Sequence, residues 1–173
     1  MPAEPAPLEL LLVRHAVARE RDRARWPDDE RRPLSPGGAR RMRRAAKGLA
    51  RLVAPPELLF TSTLVRARQT AAILRESASW PAPRTLAGLA PGRDPRELLA
   101  RLAALEAARV AIVGHEPGLG RLLAHCLYGP ASPARMELRK GAAACVRFES
   151  GVRAGQGRLL WLLPPRVLRR LGR

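Results

Sequence analysis

Leu8-Glu9-Leu10-Leu11-Leu12-Val13-Arg14-His15-Ala16 is a short apolar run that ends in an arginine and a histidine. Its length suits a buried strand. A second run ends in the same way, where Val110-Ala111-Ile112-Val113 leads into Gly114-His115-Glu116-Pro117-Gly118. Between them Leu58-Leu59-Phe60-Thr61 reads as another strand, followed at once by Ser62. In open α/β sheets the carboxyl ends of the strands form the binding crevice, so both imidazoles are expected to meet there.

Working outward, helical patterns alternate with these strands. Ser35-Pro36-Gly37-Gly38 opens a helix, with Ser35 as N-cap and Pro36 at the first helical position, where its missing N–H costs nothing. Met42, Ala45, Ala46, Leu49 and Leu52 supply its buried stripe. A second helix is predicted from Thr63 to about Ser77, a third from Pro95 to about Ala108 with Leu98, Leu99, Leu102 and Leu105 inside, and a fourth from Pro117 to Leu127. Arg19 to Pro33 is charged and aperiodic and reads as a loop; Thr85–Leu89 reads as a short extended piece. Ala143–Phe148 and Arg158–Leu163 alternate like a closing hairpin or edge pair. The whole predicts an α/β fold of three layers, a largely parallel central sheet flanked by helices.

The chain has 173 residues, with 32 Lys+Arg against 15 Asp+Glu and a formal net charge of +17. Lys47 and Lys140 are the only lysines, so the basic residues are nearly all arginine. Such a surface favours anionic partners. At 46% hydrophobic residues the chain can bury a core, which excludes full-length disorder. No run approaches about 18 uncharged apolar residues, and the N-terminus lacks a signal-sequence pattern, so no membrane association is expected. Cys126 and Cys145 form no CxxC pair and read as reduced structural thiols of a cytoplasmic protein. With three histidines and no Cys/His cluster, a structural zinc site is not expected; no cofactor is expected either.

Arg14, His15 and His115 stand at strand ends, and Arg66 falls one turn into the helix after Ser62. Histidines and arginines converging on one crevice make an anion site, because the planar guanidinium fork binds phosphate oxygens two at a time. Each feature taken singly has a plainer reading, such as a satisfied strand-end histidine or a surface arginine. Together, three strand ends with phosphate-compatible chemistry favour the site. His125, mid-helix among Leu122, Leu123, Cys126 and Leu127, reads as structural.

Leu12-Val13-Arg14-His15-Ala16, Ser62-Thr63-Leu64-Val65-Arg66-Ala67-Arg68-Gln69-Thr70 and Val113-Gly114-His115-Glu116-Pro117-Gly118 resemble, in order, the motifs of the histidine phosphatase, or phosphoglycerate-mutase-like, superfamily. Arg32-Pro33-Leu34-Ser35-Pro36-Gly37-Gly38 is similar to a run of its small SixA-type phosphohistidine phosphatases. The resemblance runs from Leu8 to Leu163 and implies one such domain over residues 1–173, with its core over about 8–163 and a basic tail over 164–173. It implies His15 as the nucleophile of a covalent phosphohistidine intermediate. Arg14, Arg66 and His115 would hold the phosphoryl oxygens, with Arg32 and Glu116 as further substrate-binding residues and no metal.

The resemblance also marks departures. Larger members carry a catalytic acid where Gly88 stands here, and Ala16 replaces a commoner glycine. Without that acid an alcohol leaving group departs poorly, while a phosphoramidate departs more easily; Glu116 or Asp94 could stand in as proton donor. The chain is short for a lid, so an open crevice and a bulky displayed phosphate are expected. The expected substrate is phosphohistidine in a protein or a related phosphoramidate, with small phosphomonoesters as the alternative. A non-catalytic phosphate-binding module stays open as a rival. Specific nucleic-acid binding is disfavoured, since aromatics are 3% of residues and no recognition motif occurs.

Overall fold

A computed structural model describes residues 6–131 and 134–173. Six strands are present: β1 (Leu8–Arg14), β2 (Leu58–Thr61), β3 (Arg84–Thr85), β4 (Arg109–Gly114), β5 (Ala143–Phe148) and β6 (Arg158–Leu163). The helices are α1 (Pro36–Leu52), α2 (Val65–Ala78), α3 (Pro95–Ala103), α4 (Gly118–Tyr128) and α5 (Pro165–Leu171). The strands form one mixed sheet in the order β3-β2-β4-β1-β5-β6. β3, β2, β4 and β1 are parallel, whereas β5 runs antiparallel to β1 and β6 antiparallel to β5. The predicted parallel sheet and closing hairpin are therefore both present.

Alternation along the central strands divides the core. Leu11 and Val13 of β1, with Ala111 and Val113 of β4, face α1, α2 and α5. Leu10, Leu12, Val110 and Ile112 face the opposite way, toward Leu98 and Leu102 of α3 and Leu119 and Leu122 of α4. Both faces of β1 are buried, which is why its sequence is an almost unbroken apolar run. Cys126 and Cys145 are buried free thiols, and burial pushes both up to about 12, far from the reactive thiolate.

The cap of α1 is as predicted: Ser35 Oγ accepts the Gly38 amide at 3.0 Å. Leu52 departs from expectation. It is 38% exposed at the last helical residue, and Val53, extended just beyond, packs on the core in its place. The third helix is shorter than predicted, ending at Ala103. The chain must reach β4, and Glu57 Oε1 and the Glu9 amide already claim the backbone of Ala108 and Arg109. Leu105 thus leaves the helix but still packs against the core. Of the expected extended piece Thr85–Leu89, Thr85 closes β3 and Leu86 is extended, but Ala87–Leu89 makes a 3-10 turn.

The presumed basic tail is also different. It folds as α5, with Leu168 fully buried, and lies along α1. Two glycines permit the approach: a Cβ on Gly48 would overlap the Leu168 carbonyl, and one on Gly172 the Arg44 carbonyl. Arg51 Nη1 then donates to the carbonyls of Leu171 and Arg173 at 2.5 and 2.6 Å, closing the end of α5.

Candidate active site

The neighbouring strands β2, β4 and β1 end side by side, and each hands one residue to the same place. The His15 amide donates to the Gly114 carbonyl at 3.0 Å and the Ser62 amide to the Val113 carbonyl at 3.1 Å. The rings of His15 and His115 consequently lie 4.9 Å apart, tilted by 49°. Both are recessed, at 6% and 4% exposure.

His15 is held in one tautomer. Its Nδ1 lies 2.7 Å from the Ala16 carbonyl, which can only accept, so Nδ1 carries the hydrogen and Nε2 keeps its lone pair. Burial, with the charges of Arg66, Arg14 and Lys140, lowers its pKa to about 4 against the raising effect of the Ala16 bond. Thr70 steadies the arrangement: its hydroxyl accepts the Ala16 amide at 3.1 Å and donates to the Arg66 carbonyl one turn back at 2.7 Å.

His115 is lowered further, to about 3, by burial and then by His15, Arg66 and Arg14. Its Nε2 lies 2.6 Å from Ser62 Oγ, while Nδ1 is buried without a hydrogen-bond partner. Arg14 Nε and Arg66 Nε are in the same condition; among the described residues Trp80 Nε1 is the other such atom. Three residues that the sequence singles out therefore each bring an unsatisfied buried nitrogen to one region. An oxyanion is the ligand that such nitrogens would satisfy.

Other guanidinium nitrogens of the two arginines are held by the protein. Arg14 Nη1 donates to the Leu138 carbonyl at 2.6 Å. Arg66 Nη1 donates to the Asp29 carbonyl at 2.8 Å, and Nη2 lies 3.2 Å from an Asp29 carboxylate oxygen. The same carboxylate accepts Arg32 Nε at 2.8 Å, and Arg32 Nη1 donates to the Arg19 carbonyl at 2.6 Å. Arg32 is thus brought beside Arg66, and Asp29 offsets the repulsion between the two. Its own pKa is lowered, first by the Arg32 hydrogen bond.

Neither candidate proton donor joins this group. Both carboxylate oxygens of Glu116 accept backbone amides, Leu138 at 2.9 Å and Gly120 at 3.2 Å. Glu116 ties the start of α4 to the segment whose carbonyl holds Arg14, which is a positioning role in place of the expected substrate contact. Asp94 caps α3 and pairs with Arg96 at 2.7 Å. His125 is buried on α4, as expected of a structural residue.

Asp29 and Thr70 are the contributors that sequence reasoning missed. Thr70 had a signal, standing four residues after Arg66 on one helix face. Asp29 had none beyond its place in Asp28-Asp29-Glu30 within a charged loop.

Residues 10–90 match the model of the histidine phosphatase superfamily (branch 1). An uncharacterized protein of Picosynechococcus sp. (strain ATCC 27264 / PCC 7002 / PR-6) is 35% identical over 155 residues, covering 88% of each chain. Among solved structures, the protein histidine phosphatase SixA complexed with tungstate is 26% identical with a TM-score of 0.78, over 93% of this chain and 99% of that one. A SixA from Nakamurella multipartitia, described as a phosphohistidine phosphatase by assignment, is 26% identical with a TM-score of 0.75, over 94% and 99%. A mycobacterial glucosyl-3-phosphoglycerate phosphatase, 19% identical with a TM-score of 0.67 over 89% and 97%, shares the fold. With that fold and these motifs, the chain belongs to the histidine phosphatase superfamily, on its SixA-like branch, and is a phosphatase.

Proposed function

We propose that the enzyme dephosphorylates phosphohistidine in proteins, or related phosphoramidates, through a covalent phosphohistidine on His15 and without a metal. The observation that carries this reading is the fixed His15 tautomer: with hydrogen on Nδ1 and the ring neutral, Nε2 is a nucleophile at neutral pH. Its lone pair attacks phosphorus while the bond from phosphorus to the substrate nitrogen breaks. A leaving imidazole protonated on its other ring nitrogen departs neutral, so it needs no acid from the enzyme. Water then attacks the phosphoryl group, the bond to Nε2 breaks, and inorganic phosphate is released.

Arg14, Arg66 and His115 supply donors to the oxygens of the transferring group, with Arg32 behind them. Phosphoryl transfer depends mostly on such positioning and charge stabilisation. Two features support a nitrogen leaving group: Gly88 carries no carboxylate, and Glu116 and Asp94 are engaged elsewhere. The link from β3 to α3 takes only residues 86–94, which supports the absence of a large lid. Buried free thiols accord with a cytoplasmic setting.

The test is a substrate panel with a trapping arm. Phosphohistidine peptides should turn over faster than phosphomonoesters, and brief incubation should leave an acid-labile, base-stable adduct that His15→Ala abolishes. Full turnover by that variant would sink the nucleophile. Faster turnover of small esters would sink the substrate, and binding without phosphate release would leave only a phosphate-binding module.

A further inference from the structure

A second recess adjoins the chain just after His15. Ala16, directly after His15, forms part of its wall, and Met42 of α1 and Pro165 of α5 contribute apolar surface. Three cations from separate elements surround it: Arg41 on α1, Lys140 on the turn before β5, and Arg169 on α5. No acid lines it. The turn is bound to the nucleophile's backbone, since the Gly141 amide donates to the His15 carbonyl at 3.2 Å. The charge of Lys140 also reaches the His15 ring.

The protein's own acids neutralise some arginines but not these three cations. Arg32 and Arg66 share Asp29, Arg96 holds Asp94, and Arg109 and Arg147 hold Glu9. Among the described residues Arg41, Lys140 and Arg169 have no ion pair, and their side chains make no hydrogen bond to the protein. Positive charge without an internal partner, beside an apolar wall and adjoining the chain just after His15, is complementary to a carboxylate on a short methylene stem.

We propose that this recess is a subsite for an aspartate or glutamate side chain of the substrate protein, so that the enzyme selects phosphohistidines flanked by acidic residues. The assignment rests on His15 as the phosphoryl acceptor but concerns a different set of side chains. Three cations spread over three elements suit flexible acidic side chains better than one bidentate phosphate clamp. With aromatics at 3% of residues, stacking on nucleic-acid bases has little support.

The experiment compares two histidine-phosphorylated peptides, one with Asp and Glu beside the phosphohistidine and one with Asn and Gln in their place. The wild-type enzyme should favour the acidic peptide about three- to tenfold in kcat/KM at low salt, and the preference should shrink as salt is raised. Arg41→Gln/Arg169→Gln should abolish the preference while turning over the neutral peptide within about twofold of wild type, which also reports correct folding. Binding of both peptides to His15→Ala gives the same ratio without turnover. Absence of phosphate release with the binding ratio intact would overturn the proposed substrate and leave the subsite standing. Equal binding of the two peptides, a preference that survives the double substitution, or tighter binding of a short DNA duplex than of the acidic peptide would overturn the subsite.

Discussion

The Ser62 hydroxyl lies 2.6 Å from Nε2 of His115, and the same oxygen accepts the Leu64 amide at 3.2 Å. The amide takes one lone pair of that oxygen, and we assign the hydroxyl proton to the bond with Nε2. His115 then carries its hydrogen on Nδ1, the buried nitrogen without a partner, and presents it as a donor. Ser62→Ala should lower kcat about tenfold or more, as expected when a donor to developing charge loses its orientation. Ser62→Thr should restore much of the loss. Nitrogen chemical shifts of His115 that do not move in Ser62→Ala would refute the tautomer assignment.

Protonation of the histidine pair should be delayed far into acid. The unfolded chain protonates these rings near pH 6.5, the folded one near 4 for His15 and near 3 for His115. Across that interval the unfolded state holds more protons, so stability falls as pH drops from about 6.5 toward 4. The contribution of His15 alone is on the order of 3 kcal/mol. Titration of the ring signals by NMR tests this directly; midpoints close to 6.5 would contradict it.

Gly88 offers a gain of function. A Cβ there meets only Leu98 Cδ1, at 3.8 Å, and the residue lines a small cavity together with His115. Gly88→Glu should therefore fold, and its carboxyl group can protonate an alkoxide as it leaves. The ratio of phosphomonoester to phosphoramidate turnover should rise about tenfold or more. An unchanged ratio, with the variant folded, would show that the carboxyl group does not reach the leaving atom.

The helix pair α1–α5 gives a stability test independent of chemistry. Gly48→Ala forces a Cβ into the Leu168 carbonyl, so α5 must shift, at a net cost of about 1–2 kcal/mol even after the better helix propensity of alanine. Gly37→Ala, near the start of the same helix, meets only the flexible ends of Arg41 and Arg40. It should be neutral or stabilising by up to about 1 kcal/mol. Urea midpoints at constant slope measure both.

The strand-end histidines are legible in the sequence because a parallel sheet converts the end of each apolar run into a place at one edge. Once β1, β2 and β4 are recognised, His15, Ser62 and His115 have nowhere else to meet. Arg66 follows because its helix starts at that edge. Direction within a turn is harder to read. Glu116 adjoins His115, yet its carboxylate turns toward the amides of Gly120 and Leu138, and spacing contains no sign of that. Asp29 is harder still, since its value lies in contacts with Arg32 and Arg66 across a loop without periodicity. In α5 the arginines mask the decisive features, one buried leucine and a glycine at each close approach.

The position of β1 has a consequence for synthesis. Arg14 and His15 leave the ribosome before β4 and β5, yet their strand lies between those two, pairing Leu12 with Ile112 on one side and with Ala144 on the other. His15 is translated before the strands that frame it. Until most of the chain has been made, the strand carrying His15 is an unpaired apolar segment, so a nascent chain stalled before β5 should be catalytically silent and prone to aggregate.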